Sequence, residues 1–125
     1  MKDKPVILVV DDQPQSIELL EAFLVPLGYE IAKAASGEEA LGKLSGNRID
    51  LILLDVLMPG MDGFEVARRI RQDNIHRSIP IILITSLRET QDKAKGILAD
   101  CDDFISKPVD KMELLSRVQA LLKEI

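Results

Sequence analysis

Four short stretches of this chain hold side chains able to do chemistry together: Asp11-Asp12, Asp55, Thr85-Ser86 and Lys107-Pro108. Each lies at or just past the end of a short apolar run. If the runs lie side by side, Asp11, Asp12 and Asp55 share one pocket with Thr85 and Lys107 at its rim. Three carboxylates at close range raise one another's pKa values unless a cation sits among them. All-oxygen donors with no histidine or cysteine nearby favour a hard ion such as Mg²⁺, which keeps several waters and is completed by a phosphate oxygen; Mn²⁺ is the alternative. An aspartate in such a pocket is a nucleophile for phosphoryl transfer, forming an acyl phosphate when metal and lysine neutralise the transferring group. The Thr85 hydroxyl and the backbone amides after Asp55 supply hydrogen bonds to its oxygens.

Taken singly, each residue has an ordinary explanation. Asp11 or Asp12 would cap a helix beginning at Pro14, Asp55 would form a turn, and Lys107 would be a solvated charge. Pro59-Gly60 would be a plain turn and Thr85 a strand-end hydroxyl. It is their falling together on one edge that points to a site.

The elements that must position them are legible as alternating patterns. Val6 to Val10, Glu30 to Ala34, Leu51 to Leu54, Ile81 to Ile84 and Phe104 to Ile105 read as five strands. Between them lie amphipathic stretches: Ile17, Leu20, Leu24 and Leu27 in the first, Phe64, Ala67 and Ile70 in the third, Leu115, Val118 and Leu122 in the last. Ser36 with Glu39, Asp62 with Glu65 and Asp110 with Glu113 have capping spacing, while Gly28 and Gly46 mark helix ends. The fourth helix, roughly Glu89 to Leu98, is mostly polar and contains Gly96. Strict alternation with continuous apolar strands predicts a single α/β domain, a doubly wound (βα)5 unit with a five-stranded parallel sheet of order 2-1-3-4-5. Ligands of such sheets bind beyond the carboxyl ends of the strands at the switch point, here between strands 1 and 3.

Composition narrows the function further. The 125 residues make one domain, 46% of them hydrophobic, and the net charge of -5 argues against direct nucleic-acid or membrane binding. No apolar run reaches the roughly 20 residues of a membrane span and no signal-peptide pattern opens the chain, so a cytoplasmic location is expected. The single cysteine, Cys101, excludes an internal disulfide and reads as a packed thiol. The single histidine, His76, reads as a solvated loop residue.

The stretches Ile7-Leu8-Val9-Val10-Asp11-Asp12, Leu53-Leu54-Asp55-Val56-Leu57-Met58-Pro59-Gly60-Met61-Asp62-Gly63 and Phe104-Ile105-Ser106-Lys107-Pro108 resemble the receiver family of response regulators, over nearly the whole chain. The resemblance implies the flavodoxin-like receiver fold and a signalling phosphoacceptor of a two-component phosphorelay. Such a protein assists its own phosphorylation and dephosphorylation and is not an enzyme in the usual sense. It implies that Asp55 accepts the phosphoryl group and ligates Mg²⁺ with Asp12 and the Leu57 backbone carbonyl, Asp11 acting through water. Thr85 matches the switch hydroxyl, Phe104 the aromatic switch and Lys107 the phosphoryl-contacting lysine; Pro108 is expected to follow a cis bond. The implied partners are a sensor histidine kinase or histidine phosphotransfer protein, an output domain beyond residue 125 or an effector protein, and a phosphorylation-dependent second copy. Leu57 and Leu87, two residues after Asp55 and Thr85, are the side chains expected to tune dephosphorylation. One departure is Asp100, near a position where relatives often carry glycine.

Two other aspartate- or phosphate-handling classes fit less well. A haloacid-dehalogenase-type phosphatase needs an acid where Leu57 stands, and a flavin module needs a glycine- and hydroxyl-rich loop where Asp11-Asp12 would repel phosphate.

Overall fold

The computed structural model describes residues 4–86 and 100–122. The expected fourth helix and Leu87 fall outside them. Five strands, β1 (Val6–Val10), β2 (Glu30–Ala34), β3 (Leu51–Asp55), β4 (Ile81–Thr85) and β5 (Asp103–Ser106), form one parallel sheet of order β2-β1-β3-β4-β5. The described helices are α1 (Pro14–Leu24), α2 (Gly37–Leu44), α3 (Gly63–Gln72) and α4 (Lys111–Leu122).

The central strands are apolar at nearly every position because both sheet faces are covered. Side chains alternate across a strand. Accordingly Leu8, Val10, Ile52, Leu54, Ile81 and Leu83 pack with Val66, Ala67 and Ile70 of α3 and with α2 residues Ala40 and Leu44. Their neighbours Ile7, Val9, Leu51, Leu53, Ile82 and Ile84 pack on the other side with Ile17, Leu20 and Leu24 of α1 and Leu114, Leu115 and Val118 of α4. The edge strand β2 carries Glu30 and Lys33 exposed, which discourages pairing with another chain. Cys101 is buried in the α2/α3-side core, and burial pushes its thiol up to about 11.

The three capping pairs form as their spacing implies. Ser36 Oγ accepts from Glu39 N–H at 3.1 Å, and Asp62 Oδ1 and Asp110 Oδ2 accept from Glu65 and Glu113 N–H at 2.9 Å each. Gly28, at φ +93°, closes the connection into β2. Two expectations change. Leu27 is not a core position: Pro26 lacks an amide hydrogen, so α1 ends at Leu24 and tightens into a 3₁₀ turn over Val25–Leu27, leaving Leu27 47% exposed. His76 is not freely solvated either. Its Nδ1 lies 2.9 Å from Asp73 Oδ2, and its side chain is only 17% exposed.

Candidate phosphoacceptor site

The register of the sheet explains why the chemistry collects at one place. Val10 pairs with Leu54, so the next residues, Asp11 and Asp55, emerge level on adjacent strands. Asp55 pairs with Ile84 and Thr85 with Ser106, which sets Thr85 one step and Lys107 two steps further along. Lys107 N–H donates to the Thr85 carbonyl at 2.8 Å, tying the lysine's backbone to the end of β4.

Asp11, Asp12 and Asp55 each offer a carboxylate oxygen, all within 4.8 Å of one another. Asp11 and Asp55 are almost fully buried, and Thr85 is completely so. Asp11 does part of a cap's work, its Oδ1 accepting from Gln13 N–H at 2.9 Å, although Gln13 itself holds the N-cap position. Its other oxygen lies 3.3 Å from Lys107 Nζ, which also reaches Asp55 Oδ1 at 3.1 Å. One ammonium thus bridges two buried carboxylates.

That arrangement sets the electrostatics. Burial pushes the Asp55 carboxyl up to about 6; the charges of Asp11 and Asp12 push the same way, against the hydrogen bond and charge of Lys107. For Lys107, burial works to lower the pKa, but the hydrogen bond to Asp55 and the charges of Asp55 and Asp11 outweigh it, so the value is raised. An acidic group held this far from its ordinary range marks a place where a further cation is favourable. The donors are all oxygen, as a hard divalent ion requires, and they fit such an ion.

The loop after Asp55 is short-tethered. Val56 N–H donates to Ile84 O at 3.0 Å, and Gly63 N–H, at the start of α3, donates back to Val56 O at 2.9 Å. Between them Pro59-Gly60 makes a turn that needs the positive φ of Gly60, +76°. Leu57 is 47% exposed on this loop. Phe104 lies on β5, three residues before Lys107, partly buried against the α2/α3-side core. The Lys107–Pro108 bond is cis. A recess of about 220 Å³ beside the acidic pocket is lined by Asp11, Ser16, Leu19, Leu20, Ile84, Lys107, Pro108 and Val109. In the sequence Gly63 is only the last residue of the Leu53-to-Gly63 motif. The clue to more was a glycine at the first position of a helix, where nothing in helix formation asks for one.

Residues 7–119 match the family model described as the response regulator receiver domain. The chain is 44% identical to the response regulator PleD of Caulobacter vibrioides over 94% of its own length and 26% of that protein's. It is 40% identical to the alkaline phosphatase synthesis transcriptional regulatory protein PhoP of Bacillus subtilis, over 94% of this chain and 48% of PhoP. The chain thus spans about a quarter to a half of such relatives. Among solved structures, a putative response regulator from Chloroflexus aurantiacus superposes with a TM-score of 0.89 at 37% identity, covering 97% of this chain and 99% of that one. Response regulator TrrA of Thermotoga maritima, solved in complex with Mg²⁺ and BeF, gives 0.84 at 38% identity, covering 94% and 98%.

Proposed function

The chain belongs to the response regulator receiver family of two-component systems, and on that premise we propose that Asp55 is its phosphoacceptor and that the transfer depends on Mg²⁺. The observation that carries this reading is the Lys107 ammonium bridging Asp55 and Asp11 within a cluster of three carboxylates. An Asp55 carboxylate oxygen attacks phosphorus, the bond from phosphorus to the donor's imidazole nitrogen or acyl oxygen breaks, and an acyl phosphate is left on Asp55. Lys107, already at hydrogen-bond distance, follows the charge from the carboxylate to the phosphoryl oxygens. Asp11, Asp12, Asp55 and the Leu57 carbonyl are the groups that would hold the ion, whose bound charge offsets that of the transferring group.

The donor is a histidine kinase or histidine phosphotransfer protein, or a small acyl phosphate, and the recess beside Lys107 and Pro108 gives a donor protein an apolar wall next to the acceptor. In the phosphorylated state Thr85 is drawn toward the phosphoryl oxygens and Phe104 turns inward, biasing the surface of β5 and α4 toward an output domain, an effector or a second copy of the chain. No described helix is long and apolar enough to cross a membrane, and the reading places the chain with its phosphodonor in the cytoplasm.

The test is incubation with Mg²⁺ and acetyl phosphate followed by mass spectrometry. One acid-stable, alkali-labile phosphoryl adduct is expected, absent in Asp55→Asn and without divalent metal. An undiminished adduct in either control refutes the assignment. With beryllofluoride as the phosphoryl mimic, amide shifts should move at Asp55 and on the distant face, and Thr85→Ala should uncouple the two.

A further inference from the structure

Gly63 is not among the glycines with positive φ, so its backbone conformation does not call for glycine. What calls for it is space. A Cβ built on Gly63 would stand 2.5 Å from the Asp55 carbonyl oxygen, 2.8 Å from Val56 Cα and 3.1 Å from the Asp55 carbonyl carbon. All three are backbone atoms, and they belong to the acceptor and the residue after it. The Asp55–Val56 peptide is tied to β4 through its N–H, which donates to Ile84 O at 3.0 Å, and the Val56–Leu57 peptide that follows is tied to α3, Val56 O accepting from Gly63 N–H at 2.9 Å. Behind Gly63, α3 cannot retreat cheaply, because Val66, Ala67 and Ile70 are all at most 1% exposed.

We propose that Gly63 is a positioning residue for the phosphoryl acceptor: its bare Cα, in contact with the Asp55–Val56 peptide, sets where the Asp55 carboxylate stands relative to Asp11, Asp12 and Lys107. The inference rests on Asp55 being the acceptor. With a methyl at residue 63, the strain must move either a helix whose inner face, Val66, Ala67 and Ile70, is fully packed or one peptide at the mouth of the site, and the peptide is the weaker member. Displacing it shifts the nucleophile and the first carbonyls of the following loop together. Misplacement of a reacting group by about 1 Å can cost on the order of a hundredfold in rate.

Gly37 supplies the control. A Cβ there would meet Val66 Cγ2 at 2.7 Å and Met61 atoms at 3.1 Å, comparable crowding against side chains between α2 and α3 that touches no acceptor backbone. The experiment compares wild type, Gly63→Ala and Gly37→Ala for the maximal phosphorylation rate per folded molecule at saturating Mg²⁺ and acetyl phosphate. Folded fraction is read by circular dichroism. Gly63→Ala should lose about tenfold or more in that saturated rate, while Gly37→Ala should stay within about twofold of wild type. A merely structural role would lower folded fraction and leave the rate per folded molecule alone, and that result overturns the proposal. If Gly63→Ala does not fold, amide exchange in the wild type decides: Gly63 N–H should be protected like the amides of β3 and shift when beryllofluoride is added. Exchange as fast as an exposed turn, or no shift, would overturn it. A wild type that takes no phosphoryl group on Asp55 sinks the acceptor assignment and this inference with it, whereas an active wild type beside an equally active Gly63→Ala sinks this inference alone.

Discussion

The two ends of the sheet use carboxylates in opposite ways. At the amino end, Asp50 accepts from the N–H of Val6, the first residue of β1, at 2.7 Å and pairs with Arg48 at 3.2 Å. Asp102 accepts from the N–H of Ile81, the first residue of β4, at 2.8 Å and pairs with Arg71 at 2.8 Å. Each carboxylate caps one strand and has its own cation. At the carboxyl end three carboxylates gather around a single described ammonium, that of Lys107. Charge at the amino end is balanced and serves the scaffold; charge at the carboxyl end is in deficit of a cation, and that deficit is the capacity to take up a metal ion and a phosphoryl group.

The comparison breaks most visibly at Lys107. Lys107→Ala should slow phosphorylation by acetyl phosphate about a hundredfold or more, the usual cost of one electrostatic stabiliser. Asp102→Ala should leave the rate per folded molecule unchanged, and initial rates at saturating Mg²⁺ read both. Next in size is Asp55→Asn in the metal-free protein. The folded-state pKa of Asp55, about 6, lies above its ordinary 3.8. Its contribution to stability is therefore fully present below pH 3.8 and lost as pH rises through about 6. The asparagine variant escapes that loss and should be more stable by about 2 kcal/mol at pH 7.5, with the advantage vanishing near pH 4. Urea unfolding with chelator across that range checks it.

At the other end the sign reverses. Asp102→Ala leaves the Arg71 guanidinium and the Ile81 N–H short of an acceptor and should cost about 1.5 kcal/mol in the same titration. The smallest effect sharpens the comparison within the site itself. Leu57 and Leu87 cannot hydrogen-bond an attacking water, so the phosphorylated state should be long-lived. Leu57→Asn with Leu87→Glu should speed phosphoryl decay about tenfold, equivalent to about 1.4 kcal/mol in the transition state. Decay no faster in a folded, Mg²⁺-binding double variant would remove side-chain control of that water.

How much of this was legible beforehand follows from the range of each interaction. Strands and caps are local, and the apolar runs and Ser36/Glu39-type spacings placed them to within a residue. The acidic pocket was legible because strand order converts sequence position into a shared edge. Leu27 was misplaced because its helical spacing looked intact, while Pro26 had already removed the amide that would continue the helix. The Arg71–Asp102 pair spans 31 residues and leaves no periodic trace. The crowding at Gly63 is a matter of how closely α3 approaches β3, which no pattern of residue types encodes.

Cys101 carries one more consequence. It is the sole thiol, 6% exposed, and burial holds its pKa near 11. Thiolate is the reactive form, so at neutral pH the native thiol is almost silent toward alkylating reagents, while an unfolded one is not. The chain therefore carries a built-in reporter of its own opening, placed where the polypeptide enters β5 on its way to Lys107. The speed at which that sulfur is trapped measures how often this entry loosens, with no label added and no residue changed.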